Sequence, residues 1–333
     1  MQADSSSRKT DHIDLAFLSQ VVGTDRRFYY EPLLHPHPAS TLSPISFLNK
    51  ELGTPIWVSS MTGGTTHAKT INENLAKACG KYKMGMGLGS CRIILNDNRY
   101  LDDFRVRKFI GDDMPLYANL GIAQVEELLK SGDVNKISEL IDKTEANGLI
   151  IHINPMQEWM QPEGDKITQP PLATITELLH KRSLSIIVKE VGQGMGPESL
   201  EALMKLPLAA IDFGAHGGTN FAMLEMLRGN ELRKEAFEPV ANLGHTALEM
   251  VEFVNTILST SNHFECKSFI ISGGIKNFLD GYYLTETLHA ISIYGQASGL
   301  LKPAKESYDL LCQYIDTQIQ GLAMAKVFLK CRA

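Results

Sequence analysis

Eight short apolar runs, separated by stretches with helical spacing, constrain this chain more than any other feature. They are Pro55 to Met61, Met84 to Leu88, Pro115 to Leu120, Leu149 to Ile153, Ser185 to Val188, Ala209 to Phe213, Phe269 to Ser272 and Ala290 to Ile293. Apolar residues, many of them β-branched, follow one another in these runs without polar alternation, the pattern of strands buried on both faces in a parallel sheet. Ile71, Leu75, Ala76 and Cys79 recur at helical spacing after the first run, and Val125 to Ala146, Leu172 to Arg182, Pro197 to Leu206 and Thr246 to Leu258 read as further helices. Strands alternating with helices imply right-handed parallel crossovers, and eight of them favour an α/β fold closed into a (β/α)8 TIM barrel. An open doubly wound sheet is the alternative. The 333 residues suit one barrel with insertions, an architecture of roughly 250 to 400 residues. The expected organisation is a barrel over residues 55–333 preceded by an amino-terminal arm over residues 1–54, Pro- and His-rich from Asp14 onward. Residues 1–14 show no periodicity, and on composition alone they read as a charged, disordered tail.

In barrels of this kind ligands bind at the carboxyl ends of the strands. Those ends read Ser59-Ser60-Met61-Thr62, Gly89-Ser90-Cys91-Arg92, Asn119, His152 to Asn154, Lys189-Glu190, Asp212, Ser272-Gly273-Gly274 and Gln296 to Gly299. Small or hydrogen-bonding residues at every end are better explained by one shared pocket than by scattered loops. The fourth strand continues into Asn154-Pro155-Met156-Gln157-Glu158, so an imidazole, two amides and a carboxylate fall within seven residues. None of these is buried cheaply without a partner, although His152 as a satisfied core histidine and Gln157-Glu158 as the start of a solvated helix would also fit.

Gly273-Gly274 and Gln296 to Gly299 follow strands seven and eight, where barrels place a phosphate among backbone N–H groups. Alone, the glycine pair would mark only a turn. Lys189 ends the run SIIVKE, and three roles compete for it: Schiff-base nucleophile, charge opposite a cofactor, or partner of Glu190 or Asp212. The Asp212 to Thr219 stretch adds a strand-end acid and a glycine-rich loop able to approach a phosphate or a planar ring.

Composition excludes several classes. A net charge of −6 argues against nucleic acid as a partner, and no apolar run approaches membrane-spanning length. The opening residues lack the apolar core of a secretory signal, so a cytoplasmic protein is the default expectation. Five cysteines, Cys79, Cys91, Cys266, Cys312 and Cys331, are odd in number and widely spaced, as expected of reduced thiols, with Cys91 notable for its place in a glycine-rich turn.

Taken in order, Arg8-Lys9-x-Asp11-His12, Ser60-Met61-Thr62-Gly63-Gly64, Gly87-x-Gly89-Ser90-x-Arg92, Ala118-Asn119-Leu120-Gly121, His152-x-Asn154-Pro155-x-Gln157-Glu158, Val188-Lys189-Glu190, Gly217-Gly218-Thr219 and Ser272-Gly273-Gly274-Ile275 resemble the type 2 isopentenyl-diphosphate isomerases. The resemblance runs from Arg8 to about Pro303. It implies an FMN-dependent barrel enzyme that interconverts isopentenyl and dimethylallyl diphosphate with reduced FMN and Mg²⁺, NADPH serving as reductant, and a homo-oligomer, tetramer or octamer. By resemblance, Ser60, Met61, Thr62, Ser90, Asn119, Lys189, Thr219, Gly273, Gly274, Ala297 and Ser298 hold the flavin. Arg8, Lys9, Arg92, His152 and Asn154 hold the diphosphate, Gln157 lies by the reacting alkene, and Glu158 binds Mg²⁺. Lys189 would stabilise the anionic reduced flavin, which makes it catalytic together with Gln157. The resemblance also turns the tail into an arm that orders over the barrel mouth when substrate arrives.

Two departures weaken parts of the pattern. The stretch between Ile275 and Gly299 is longer than usual, with Tyr294-Gly295-Gln296 where a small-residue turn is typical, and Cys91 stands where Gln is common. An FMN oxidoreductase on the same fold is the main rival; it would draft His216 as base and Arg92 as carboxylate clamp and leave the His152 to Glu158 cluster without a role. A non-catalytic flavin- or phosphate-binding scaffold is the third reading.

Overall fold

The computed structural model describes residues 5–332 except 22, 40, 61, 66, 230 and 262. All eight apolar runs become strands: β1 (Ile56–Val58), β2 (Gly85–Gly87), β3 (Leu116–Gly121), β4 (Gly148–Ile153), β5 (Ile186–Glu190), β6 (Ala210–Asp212), β7 (Ser268–Ser272) and β8 (Ile291–Gln296). Each pairs in parallel with the next, and β8 closes on β1, so the sheet is a closed barrel. β1, β2, β3 and β6 are buried at every position, which is why their sequences run apolar without alternation. The open-sheet alternative is thereby excluded.

Helices fill the crossovers, with one correction. The expected helix from Val125 to Ala146 is two, Ile122–Ser131 and Asn135–Thr144, because Gly132 takes a left-handed conformation at φ 79° and caps the first. The segment from Gly214 to Thr246, left unassigned by periodicity, holds helices Phe221–Arg228 and Glu231–Ala241. Met160, Ala222, Met226 and Ala241 form a small apolar cluster there, separate from the main core.

The arm is more ordered than its composition suggests. Ile45–Phe47 and Lys50–Leu52 form a hairpin through Leu48 and Asn49, both at positive φ (53° and 58°), the twist a tight hairpin needs. That hairpin lies at the amino-terminal ends of β3, β5, β7 and β8, facing Tyr117, Ser185, Ser268 and Ile291 across a cavity of about 200 Å³. Phe28–Tyr30 pairs antiparallel with Leu329–Cys331 at the far end of the chain. Ser5–Leu15 is a helix, where composition alone gave a disordered tail; with few apolar residues it carries no buried face for periodicity to detect. Ile13, Phe17, Leu18 and Val21 lie on or just beyond it and are largely exposed.

The lengthened region after Ile275 keeps the barrel pattern, with helix Phe278–Thr287 ahead of β8. Tyr294 is fully buried, its ring packed where a Cβ on Gly281 would come within 2.6 Å. Gly281 thus makes room for the large side chain. Gly295 points the other way, towards Ser59 and Ser272, where its own Cβ would meet Ser59 Oγ at 2.6 Å.

Candidate active site

Strand register brings the polar ends together. Gly121 pairs with His152, His152 with Lys189, Lys189 with Asp212, and Ser272 with Gly295. Over β5 to β8 these ends enclose a cavity of about 420 Å³ lined by Ser59, Ser60, Lys189, Thr219, Gly273, Gly274, Gln296, Ala297 and Ser298, among others. Glycine makes the wall possible. Gly273 (φ 90°) and Gly274 (φ 72°) interlock with the loop after β6, such that a Cβ at Gly273 would lie 2.0 Å from the carbonyl oxygen of Ala215 and one at Gly218 3.1 Å from the Gly274 nitrogen. Gly273→Ala is therefore expected to lower stability by about 2 kcal/mol or more in urea unfolding. Gly274→Ala, whose Cβ would approach no nearer than 3.3 Å, should cost less; equal losses would contradict this packing.

The cavity wall carries unmet polar groups. Ser59 Oγ, Ser60 Oγ and Gln296 Nε2 are buried and lack hydrogen-bond partners, although Gln296 Oε1 accepts from the Tyr314 hydroxyl at 3.2 Å. Buried donors without partners are rare in folded proteins and suit a polar ligand. Lys189 Nζ, at the cavity edge, donates to the Glu190 carbonyl at 2.6 Å. The Glu190 carboxylate is held separately, its Oε2 accepting the N–H groups of Gly192, Gln193 and Gly194 at 2.7 to 2.9 Å. Burial pushes Glu190 above the usual carboxylate range against those donors. Asp212 is also raised by burial, offset by the Lys189 charge and by the Ser272 hydroxyl that donates to it. Its second oxygen, Oδ2, has no partner.

A second cluster stands beside this cavity, on β4 and the helix Pro155–Met160 that follows it. Asn119 Nδ2 donates to the Leu88 carbonyl at 2.9 Å, which leaves Asn119 Oδ1 to accept from His152 Nδ1 at 2.7 Å. Burial lowers the His152 pKa to about 4, with the Lys189 charge contributing. The imidazole is neutral at physiological pH, with its proton on Nδ1. Asn154 Nδ2 donates to Glu158 Oε1 at 2.8 Å and to Gln157 Oε1 at 3.2 Å, while the Asp165 N–H donates to Glu158 Oε2 at 2.7 Å. Gln157 Nε2 in turn donates to Glu225 Oε1 at 3.1 Å.

Glu225 is a residue that sequence reasoning missed. It is 3 % exposed and also accepts from Gln161 Nε2 at 2.7 Å and from Arg228 at 2.8 Å. An acid inside the otherwise apolar helix FAMLEMLR, with an arginine three residues later, was the available signal.

Not every expected residue joins these clusters. Arg92 pairs through both terminal nitrogens with Asp165. Ser90 is exposed and Thr62 half-buried, and neither lines the cavity. Asn119 is engaged with His152 rather than lining it. Lys9 is exposed on the amino-terminal helix; Met61 and the Arg8 side chain lie outside the described residues. His216, which the oxidoreductase reading would draft, sets its Nε2 3.3 Å from the Ala241 carbonyl and does not line the cavity. Among the described residues no group of three His, Cys, Asp or Glu is placed to hold a metal, and no helix is long and apolar enough to cross a membrane. All five cysteines are free, and burial pushes the Cys91 thiol up to about 12, so it is unreactive despite its position.

A closed eight-stranded parallel barrel with its polar groups gathered at the carboxyl-end mouth defines a (β/α)8-barrel enzyme. Solved structures share this fold: a substituted flavocytochrome b2 with sulfite bound at TM-score 0.62 and 12% identity, over 90% of this chain and 72% of that one, and a substituted mandelate oxidase with a monooxide FMN adduct at 0.55 and 11%, over 98% of each. No protein-family model matches the chain. The isopentenyl-diphosphate delta-isomerase of Rickettsia peacockii (strain Rustic) is 33% identical over 332 residues, spanning 97% of this chain and 92% of the relative. That of Rickettsia typhi (strain ATCC VR-144 / Wilmington) is 32% identical over 338 residues, spanning 99% and 94%. The chain belongs to the isopentenyl-diphosphate delta-isomerase family.

Proposed function

We propose that this protein is a type 2 isomerase, which interconverts isopentenyl and dimethylallyl diphosphate with FMN and Mg²⁺. The observation that carries the reading is the pairing of a glycine-walled cavity, lined by the partnerless Ser59, Ser60 and Gln296 side chains, with the Asn154–Gln157–Glu158 cluster. Such a cavity falls in the size range of small-molecule sites, about 300 to 1,000 Å³. FMN suits it, because serine hydroxyls, a glutamine amide, approachable glycine backbone and one lysine match a phosphate and a polar ring edge.

Ser60, Lys189, Thr219, Gly273, Gly274, Ala297 and Ser298 would hold the flavin, with Met61, Thr62, Ser90 and Asn119 completing the set the sequence implies. Reduced FMN, kept so by NADPH, supplies a proton donor and acceptor matched to an alkene, with no net redox change. Lys189 contributes a fixed positive charge at the cavity edge, which favours an anionic ring. Arg92 would take the diphosphate through the N–H groups its carboxylate partner leaves free; His152, whose Nδ1–H is committed to Asn119, would join it by taking up a proton on Nε2 as the anion arrives, and Asn154 by redirecting the N–H that reaches Gln157 at 3.2 Å. Glu158 would bind Mg²⁺ as a single carboxylate completed by water and phosphate oxygens. Both of its oxygens already accept one hydrogen bond each, from Asn154 and the Asp165 N–H, so the carboxylate is oriented in advance. Gln157, held between Asn154 and Glu225, would present its amide to the reacting carbons.

The same reading places Arg8 and Lys9 over the mouth when substrate binds. Lys9 and residues 11 to 21, along the helix Ser5–Leu15 and just beyond it, are exposed, and the apolar Phe17, Leu18 and Val21 offer surface for closure or for the tetramer or octamer expected of the family. Deleting residues 1–12 should raise KM at least tenfold and leave flavin content unchanged; unaltered substrate kinetics would count against the arm's role. The cytoplasm is the expected compartment. The overall reading is tested by assaying isopentenyl diphosphate with Mg²⁺ and FMN, with and without NADPH. Dimethylallyl diphosphate should form only with the reductant, whereas a yellow protein without isomerase activity would favour the oxidoreductase.

A further inference from the structure

Asp165 stands in a loop that no functional expectation covers, yet it touches both the proposed anion anchor Arg92 and the proposed metal ligand Glu158. Its carboxylate receives Arg92 through Nη1 at 2.5 Å and Nη2 at 3.2 Å, and receives Gln124 Nε2 at 2.7 Å. Its backbone N–H holds Glu158 Oε2 at 2.7 Å. Gln124 is 5 % exposed, and its other end accepts the N–H of Gly121 at 3.1 Å. Gly121 ends β3 beside His152, where a Cβ on it would come within 2.9 Å of His152 Nε2. A buried amide anchored to the barrel wall therefore fixes Asp165, and Asp165 fixes Arg92.

A surface ion pair in isolation carries little weight. This one differs because its acid is held by a buried partner and shares its backbone with the Glu158 contact. The Arg92 side chain is 57 % exposed, and a long side chain so exposed would otherwise sample many rotamers. Pairing by both terminal nitrogens uses two of the five guanidinium N–H groups and leaves Nε–H and one N–H on each terminal nitrogen for an anion.

We propose that Asp165 is a positioning residue, which aims Arg92 at the diphosphate through its carboxylate while its N–H sets Glu158, so that anion anchor and metal ligand keep a fixed spacing. The proposal rests on the reading of the site as a diphosphate site. It commits to a sign, because a carboxylate that merely occupied Arg92 until ligand arrived would weaken binding, and its removal would strengthen it.

Asp165→Asn separates the two roles, since the amide keeps the backbone N–H and the side-chain shape but loses the charged acceptor. Calorimetry with inorganic pyrophosphate and Mg²⁺ on the full-length protein gives Kd for wild type, Asp165→Asn, Arg92→Ala and the double variant. Asp165→Asn should raise Kd about tenfold, the lower end of what loss of an orienting outer partner costs, and raise KM for isopentenyl diphosphate with kcat within about twofold. In the Arg92→Ala background the same change should add less than about twofold. Asp165→Glu, which keeps the charge, should retain part of the affinity, and it serves as the readout if Asp165→Asn unfolds. Unchanged or tighter binding in Asp165→Asn, or full multiplicative effects in the double variant, would overturn the proposal. Wild type that turns over isopentenyl diphosphate while Asp165→Asn matches it would overturn the positioning role alone. Wild type that neither binds pyrophosphate nor isomerises would overturn the functional reading and this proposal with it.

Discussion

Glu158→Gln is expected to lower kcat/KM for isopentenyl diphosphate by about a thousandfold, roughly 4 kcal/mol of lost transition-state stabilisation. The amide is nearly isosteric, so packing on helix Pro155–Met160 should persist, but it lacks the charge that draws a hard cation. It also leaves either Asn154 Nδ2 or the Asp165 N–H facing a donor where each now has an oxygen at 2.7 to 2.8 Å. Flavin content should be unchanged, because Glu158 does not line the cavity. A Mg²⁺ titration distinguishes the causes: a lost metal ligand should shift the Mg²⁺ requirement upward, whereas wild-type activity at low Mg²⁺ would remove Glu158 from the metal site.

Gln157→Ala should lower kcat by about a hundredfold while KM changes much less, the signature of a contact made mainly in the transition state. Its amide is fixed at both ends, Oε1 by Asn154 and Nε2 by Glu225, so the account extends to a second variant. Glu225→Gln replaces an acceptor that serves Gln157, Gln161 and Arg228 together. It should lower kcat by about tenfold or more and, in combination with Gln157→Ala, add little, because both act through one amide. Stopped activity without loss of fold, checked by thermal unfolding, supports this pairing. Additive losses would mean that Glu225 acts apart from Gln157.

The barrel was legible because its signal is local. Each parallel strand is buried on both faces, so runs such as Leu149 to Ile153 announce themselves without knowledge of their neighbours. The place of Gly273, Gly274, Ala297 and Ser298 in the cavity wall was likewise readable, since it follows from standing after strands seven and eight. What stayed hidden are pairings across long separations. Gln157 and Glu225 are 68 residues apart, and Arg92 and Asp165 are 73 apart; nothing in either stretch names its partner. The same limit explains Asn119, whose position at a strand end was evident but whose commitment to His152 and Leu88 depends on strand register. The helix break at Gly132 and the hairpin at Leu48-Asn49 were missed for the opposite reason: they are set by single left-handed residues that apolar periodicity does not register.

The central claim is that this barrel moves a proton on its substrate with a reduced flavin that is not consumed. The most direct measurement follows the visible spectrum of the flavin-loaded protein, reduced once under anaerobic conditions, while dimethylallyl diphosphate is quantified in D₂O. The account predicts many product molecules per flavin, deuterium in both isomers, and a spectrum that stays that of reduced FMN throughout. One product per flavin oxidised, or equal turnover by protein stripped of flavin, would contradict it.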